Sequence, residues 1–504
     1  MQLRKIIENI LSNWVNLLVT VTIAFVVSPV LVKSLGKELY GVWTLVVSVT
    51  GYFTVLDFGV NTAIVRYISS STARNDHDRA RAVYSTSMTI FGITSSVVLL
   101  FSLVFGYFFQ DLFQLYHIPR SYLYAVFLIS ALDLAGGLVC SVFLGTLAGL
   151  QEFKFINGTS ISINIVRSAI LVLMLKSGYA LLALASLQLA ASVVRALCQY
   201  LRLRRKHVHL RFDRSAVNRD TVKLIYNYSV YSFVIAVALK LLFYTDSVVI
   251  GALIGVSQVA FYAIPSTLLD YLEKFVWAMI SVLVPMISAN EATGAGGANE
   301  RLYVTGTRYT LLFSMPVVIS LYFYGDDFIT LWMGPEFGER SLWVLRLLLI
   351  GFGVSFSQMI AHGILKGISR HRVLAYILAL EALANLGMSM ALARPYGIEG
   401  VAVGTMVPLV LAAGCVLCYT CSLLRIGLWR YVARAYAPAL AGTLAALLFI
   451  AWNPYRITGY FTLLATCAVV AAVFLAASFP ASLEREHRDL LLKKLFGRAA
   501  VSGG

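Results

Sequence analysis

The chain is 504 residues long, 59% hydrophobic and only 13% charged, with a mean hydropathy of +0.81. A water-soluble globular chain carries roughly 25% charged residues, so the composition excludes that class and predicts an all-α polytopic membrane protein. The formal net charge of +16 does not point to nucleic acid, because the basic residues sit in short loops between apolar runs, where they fix topology.

The first apolar run, near residues 12–35, follows Arg4 and Lys5 and contains Asn16 and Pro29. It lacks a small-residue cleavage site and reads as an uncleaved first crossing, not a signal peptide. Runs near 40–69, 82–109, 121–149, 158–177 and 180–203 complete an amino-terminal lobe of six helices, residues 1–204. A basic linker, residues 205–222, overlapping the loop "RLRRKHVHLRFDRSAVNRD", leads into a second six-helix lobe at 223–424. That lobe holds runs near 223–253, 257–289, 302–325, 340–366, 372–394 and 398–424. Two further helices occupy 425–481, before a charged tail at 482–504. Most runs can cross about 30 Å of hydrocarbon at 1.5 Å per residue, which gives about 14 transmembrane helices.

Basic residues distribute unequally across this topology. One side collects Arg74, Arg79, Arg81, the 202–223 cluster, Lys366, Arg370, Arg372, Arg425, Arg430, Arg434 and the tail. The other holds only Lys33, Lys37, Arg120, Lys176, Arg340, Arg394 and Arg456. The positive-inside bias predicts that both termini are cytoplasmic.

The chain also repeats itself. Shifted by 219 residues, "LVKSLGKELYGVW" (31–43) falls on "IGALIGVSQVAFY" (250–262). Gly36 then meets Gly255, Gly41 meets Ala260, Trp43 meets Tyr262 and Tyr84 meets Tyr303, without a gap. Both copies run in the same direction, so the lobes are predicted to be related by a pseudo-two-fold axis along the membrane normal, with a substrate path between them.

Enzyme signatures are missing from the sequence: it has no H-E-x-x-H, Walker lysine loop or nucleotide-binding glycine turn. The six cysteines (Cys140, Cys198, Cys415, Cys418, Cys421, Cys467) lie inside apolar runs without adjacent His or acidic partners and read as packing residues. No metal site, catalytic residue or cofactor is expected. What stands out is the set of ionisable residues within the runs: Arg167, Arg195, Lys240, Lys274, Arg308 and Arg346, with Asp57, Asp133, Asp246, Asp270, Glu273 and Glu381. Six cations facing lipid would cost on the order of 15–20 kcal/mol at roughly 2.5–3.5 each, more than a typical fold's stability. They are expected to face a hydrated interior or to pair.

Asp270 and Lys274 are spaced to pair along one helix face, and Lys240 and Tyr244 form a similar stripe. For Arg195 and Arg308, nearer the helix ends, snorkelling to the interface and facing a cavity both stand. Asp57 and Asn61 share a face, with Arg66 at the end of the run, so the stretch is expected near a membrane boundary, lining a wet cavity, or both. Surplus cations suit an anionic substrate, so the substrate-binding candidates are Asn61, Arg66, Arg167, Lys240, Tyr244, Lys274 and Arg346. Asp57, Asp133, Asp246, Asp270, Glu273 and Glu381 are the ion-coupling candidates, taking H+ or Na+ as the coupling ion. Gly145 and Gly149 are spaced for close helix contact, and Pro29, Pro265, Pro285, Pro316 and Pro408 are expected to bend their helices.

The stretch "SLGKELYGVWTLVVSVTGYFTVLDFGVNTAIVRYIS" resembles the second-helix region of Wzx-type polysaccharide transporters, in the multidrug/oligosaccharidyl-lipid/polysaccharide exporter superfamily. Gly36, Tyr40, Gly41, Trp43, Asp57, Gly59 and Arg66 carry the resemblance. "YTDSVVIGALIGVSQVAFYAIPSTL", with Asp246 and Tyr262, is similar to the start of that family's second lobe, and "YGIEGVAVGTMV" to its twelfth helix. The second copy departs from the first, with Val276 and Pro285 where Asp57 and Arg66 stand. The resemblance implies two six-helix lobes around a central cavity, and two extra helices shaping a groove for a lipid tail. It implies a flippase of the bacterial inner membrane that moves undecaprenyl-diphosphate-linked oligosaccharide to the outer leaflet for surface or exopolysaccharide synthesis. Its expected partners are the bilayer, the lipid-linked oligosaccharide, a polysaccharide polymerase and a chain-length regulator. Moving about two negative charges outward is favoured by roughly 4–5 kcal/mol per 100 mV. The competing classes are a multidrug exporter of the same superfamily, a membrane polymerase or ligase, and a channel.

Overall fold

In lipid every backbone polar group must be satisfied within its own segment, and runs of Leu, Val, Ala and Ile answer this by forming helices. The computed structural model describes residues 2–176, 181–281, 283, 286–287, 290, 297–368, 370–453 and 457–482. Among the described residues there is no strand. In chain order the first elements are α1 (Gln2–Tyr52), a 3-10 turn (Phe53–Asp57), α2 (Val60–Ala73), α3 (His77–Leu112), α4 (Arg120–Gly149), α5 (Phe153–Lys176) and α6 (Leu181–Lys206). They are followed by α7 (Arg219–Leu253), α8 (Val256–Ser281), α9 (Ala298–Met333), α10 (Pro335–Phe356), α11 (Met359–Gly367), α12 (His371–Leu423), α13 (Leu428–Trp452) and α14 (Tyr460–Ser482). Pro285, Arg456 and the tail from residue 483 lie outside the described residues.

Among the described residues, ten helical segments are long and apolar enough to cross a membrane, and the bent pair α10–α11, with a 40° bend, makes an eleventh. Two of the ten are double length: Leu11–Asp57 spans 47 residues and Arg372–Leu423 spans 52. Each breaks at a glycine in a conformation that side chains resist, Gly36 (φ 70°, ψ 170°) and Gly397 (φ 62°, ψ −146°). With those halves taken separately, and α8 at 26 residues, the helices account for the about 14 crossings expected.

The repeat register has a structural counterpart. Gly255, paired with Gly36 by sequence, also takes a positive φ (146°) at the turn between α7 and α8. Gly41, in the second half of α1, packs directly on the backbone carbonyl of Val256, which leaves no room for a Cβ. Gly145 and Gly149 bring α4 onto α2 as expected: a Cβ on Gly149 would lie 3.0 Å from Ile68 Cβ. The prolines behave differently. Pro29, Pro265 and Pro316 sit inside helices, and the irregularity in α9 falls at Tyr324 (φ −119°, ψ 15°), not at Pro316. Proline forfeits one hydrogen bond while keeping a helical φ; the breaks inside α1 and α12 use the φ range that glycine supplies.

By contacts the chain forms two compact units, Met1–Ile264 with Leu378–Thr405, and Pro265–Ile377 with Met406–Gly504. In the first, Ile64 and Ile68 of α2 pack with Val83 and Phe91 of α3 and Val142 and Leu147 of α4, joined by Leu210 from the segment after α6. In the second, Leu311 and Ile319 of α9 pack with Ala439 and Ala446 of α13 and Val470 and Phe474 of α14. The last two helices are thus integral to the second unit's core. Side-chain caps start two helices after loops: Asp76 accepts the Arg79 N–H at 3.0 Å, and Asn218 accepts the Thr221 N–H at 2.7 Å.

Candidate functional site

The second crossing is interrupted where the sequence reads "LDFGV". After the 3-10 turn, Phe58 (φ 48°) and Gly59 (φ 72°) are both left-handed, and α2 then restarts. Asp57 Oδ1 accepts the backbone N–H of Asn61 at 3.1 Å, so this carboxylate caps the restarted helix. Asn61 Oδ1 lies against Gly145 of α4, filling the space a Cβ would take. Arg66 is exposed, with its guanidinium 5.8 Å from the Tyr67 ring. The three residues serve a break, a helix contact and an exposed face.

A polar ladder joins α5 to α6. Arg167 Nη1 donates to Gln188 Oε1 at 2.5 Å, and Arg195 Nη2 donates to Asn164 Oδ1 at 3.0 Å. Each helix contributes one guanidinium and one amide, because Asn164 and Arg167, like Gln188 and Arg195, recur on a single helical face. Asp133 on α4 lies within electrostatic reach of both guanidinium groups. Three buried polar atoms here make no hydrogen bond: Arg167 Nε, Arg195 Nε and Asp133 Oδ1. Buried groups of this kind are normally partnered by water or a ligand. A cavity of about 220 Å³ is lined by Trp43, Asn164, Arg167 and Gln188. A second, of about 450 Å³, is lined by Asp133, Ser192, Arg195 and Tyr200. Arg195 thus lines the second cavity while its guanidinium reaches Asn164 of α5.

A second polar centre surrounds Asp246 of α7, whose side chain is 5% exposed. Its Oδ2 accepts from the Tyr262 hydroxyl at 2.5 Å and the Thr405 hydroxyl at 2.7 Å. Its Oδ1 lies 3.3 Å from Ser389 Oγ and 3.5 Å from Asn385 Nδ2. All four donors are neutral. Asn385 Oδ1 is buried without a partner, and the Val401 carbonyl lies 3.2 Å from Thr405 Oγ1. Glu381, also buried at 6%, sits one turn before Asn385 on the stripe Glu381, Asn385, Ser389. Carboxylate, amide, hydroxyl and carbonyl oxygens form the donor set that hard cations prefer. Among the described residues, no group of three or more His, Cys, Asp or Glu side chains is arranged to hold a metal ion.

Lys240 and Tyr244 do form the expected stripe on α7. The ammonium lies 5.3 Å from the Tyr244 ring centroid, and that ring stacks edge-on against Tyr52 at 5.7 Å. Tyr244 also covers Gly51, where a Cβ would collide with the ring. In the second unit Lys274 Nζ pairs with Asp270 at 2.5 Å, with Glu273 beside them on α8. There Arg346 Nε donates to the Tyr322 carbonyl at 3.2 Å, and the guanidinium lies over the Tyr322 and Trp343 rings. Arg308 donates to the Arg434 carbonyl at 2.7 Å. The site candidates missed by the sequence reading are the neutral ones: Asn164, Gln188, Asn385, Ser389 and Thr405. The four-residue spacing of Glu381, Asn385 and Ser389 was the available signal.

Residues 6–291 match the family model described as "Polysaccharide biosynthesis protein". The chain belongs to that family. Among its relatives, one assigned as an O-antigen transporter of Shigella flexneri is 22% identical over 415 residues, covering 81% of this chain and 96% of the relative. The membrane protein EpsK of Bacillus subtilis (strain 168), without an assigned role, is 23% identical over 515 residues, covering 97% and 98%. Two solved structures share the fold. The lipid II flippase MurJ in an inward closed conformation has a TM-score of 0.69 at 13% identity, covering 96% of this chain and 100% of that one. An inward-facing multidrug resistance MATE transporter of the MOP superfamily has a TM-score of 0.67 at 15% identity, covering 80% and 94%. The resemblance read from the second-helix and second-lobe segments is borne out by this family match and fold.

Proposed function

We propose that this protein is a flippase that carries an undecaprenyl-diphosphate-linked oligosaccharide from the cytoplasmic to the outer leaflet of a bacterial membrane, with both termini cytoplasmic. The observation that carries the reading is the α5–α6 ladder. Two guanidinium groups, each with a buried N–H lacking an acceptor, share a single nearby carboxylate, Asp133. A net positive, partly hydrated centre within apolar helices favours a phosphate oxyanion, to which arginine offers a fork of donors. The family match and the Shigella flexneri relative support a polysaccharide cargo. The fold shared with the lipid II flippase supports a lipid-linked one. The Asp246 centre serves as the coupling site, its oxygens taking Na+ or a proton to drive return of the empty carrier. A polymerase and a chain-length regulator would act on the delivered product.

The fold shared with the MATE transporter favours one second reading, export of organic cations. Such cargo requires an anionic pocket, whereas the ladder carries a surplus of positive charge. Two measurements separate the readings. Arg167→Ala and Arg195→Ala should each make lipid-linked oligosaccharide accumulate on the cytoplasmic leaflet while leaving drug sensitivity unchanged. Normal flipping in both variants, or hypersensitivity to cationic drugs without accumulation, overturns the flippase assignment.

A further inference from the structure

The interruption at residues 53–59 leaves an apolar groove beside it. Irregular backbone at membrane depth is tolerated where it is buried in protein or lines a cavity, and non-glycine residues held left-handed concentrate at ligand sites. Phe58 is held there by its ring, 5.0 Å from Phe233 and 6.3 Å from Tyr226 of α7. Just before it the chain forms one wall of a groove of about 400 Å³, within the range of roughly 300–1,000 Å³ typical of small-ligand sites. Phe53 and Leu56 form this wall, facing Val97 and Phe101 of α3 and Val237 and Leu241 of α7. Val97 and Phe101 are each 53% exposed, so the groove is open along its α3 side. Leu241 adjoins Lys240, and the groove residue Tyr52 stacks on Tyr244, over which the Lys240 ammonium lies. An apolar slot whose Tyr52 wall is separated by one aromatic ring from a cation suits an apolar chain that ends in an anionic group.

We propose that this groove holds the first isoprenoid units of the lipid carrier, and that Lys240 meets the phosphate nearest the chain. The proposal rests on the flippase reading and gives Lys240 a place within it. A branched isoprenoid chain suits a short slot walled by the aromatic rings of Tyr52, Phe53 and Phe101, and a diphosphate offers Lys240 more charge than a phosphodiester does. This assigns the first isoprenoid units of the carrier to the break in the second crossing, within the first compact unit.

Binding of undecaprenyl diphosphate, without sugar, to the purified full-length protein in nanodiscs tests it. Leu241→Trp and Val97→Trp fill the groove from α7 and from α3; Val97 is exposed, so its variant keeps the test valid if Leu241→Trp misfolds. Each folded variant should bind the probe at least tenfold more weakly than wild type. Lys240→Gln should weaken binding of undecaprenyl diphosphate while leaving binding of undecaprenol unchanged. Wild-type affinity in both tryptophan variants overturns the groove. Displacement of the probe by an equal concentration of phosphatidylglycerol also overturns it, in favour of a general lipid site. If wild type retains no undecaprenyl diphosphate at all, the flippase reading itself falls.

Discussion

The hydroxyls of Tyr52 and Thr245 are 2.8 Å apart. Tyr52 is the last residue of α1 before the 3-10 turn, and Thr245 immediately precedes Asp246. One hydrogen bond thus ties the interrupted crossing to the carboxylate centre, and Tyr244 reinforces it by stacking on the same tyrosine.

Tyr52→Phe removes that bond while keeping the ring. Loss of one hydrogen bond costs about 0.5–1.5 kcal/mol, so the protein should fold and the cation or pH dependence of flipping should shift by several fold. Transport assays in proteoliposomes across a Na+ and pH series check this; an unchanged dependence would show that the bond is structural only.

Asp246→Asn keeps the shape of the centre and removes its charge. Four neutral donors surround the carboxylate with no basic side chain among them, and a buried charge without an ionic partner is costly, so its removal offsets the hydrogen bonds that the amide loses. The variant should unfold at the same temperature as wild type or higher, retain substrate and fail to turn over. Thermal unfolding combined with single-turnover flipping measures both.

Gln188→Glu places a carboxylate on Arg167 and cancels the ladder's surplus charge. A charge-assisted hydrogen bond is worth roughly 1.5–3 kcal/mol, so diverting Arg167 should lower apparent substrate affinity by about tenfold or more. The melting temperature should hold or rise. Unaltered affinity would remove Arg167 from recognition.

The segment after α6 supplies a pH prediction. It docks on α3 through the Arg81 bond to the His209 carbonyl at 3.3 Å, the Asp213 N–H to Ser85 Oγ at 3.0 Å, and buried Leu210. His77 and His209 lie 4.3 Å apart between ring centroids. Burial, with Lys206 and Arg202 adding to it against the pull of Glu152, holds the His207 imidazole below its usual range. Burial, His77, His207 and Arg81 do the same to His209. A depressed histidine means the unfolded segment binds more protons, so docking is full above about pH 6.5 and weakens as pH falls below it. Burial pushes the Glu152 carboxyl up, but bonds from Arg202 and Lys206 outweigh this and leave it below the ordinary range. Its contribution is therefore constant above that range and is lost only at more acid pH. Hydrogen exchange of residues 207–213, corrected for intrinsic rate, should show protection falling between pH 7 and 5.5, less steeply in His209→Gln.

Charge was the legible part of this molecule, because a charge inside an apolar run is expensive and announces a partner. Lys274 with Asp270 and Lys240 with Tyr244 were readable because each pair lies on one helix, where spacing alone dictates contact. The shift that paired Gly36 with Gly255 located two real backbone turns. The partners of Asp246 were hidden because they are neutral and come from α8 and α12, and Asn385 is 139 residues away. Arg167 and Gln188, 21 residues apart, meet only because α5 and α6 pack side by side. The capping role of Asp57 was not legible, because the backbone N–H its carboxylate accepts is set loose only by the break at Phe58.

The hairpin folded about Gly397 has a consequence for biosynthesis. Ser389 and Asn385 from its first leg and Thr405 from its second close around a carboxylate that the ribosome delivers 139 residues before Asn385. During that interval Asp246 lies in the bilayer without three of its four donors, only Tyr262 following soon after it; such a residue at a helix centre costs roughly 2.5–3.5 kcal/mol. A nascent chain stalled before this hairpin should leave α7 loosely inserted and open to quality-control proteolysis, and emergence of the hairpin should seat it.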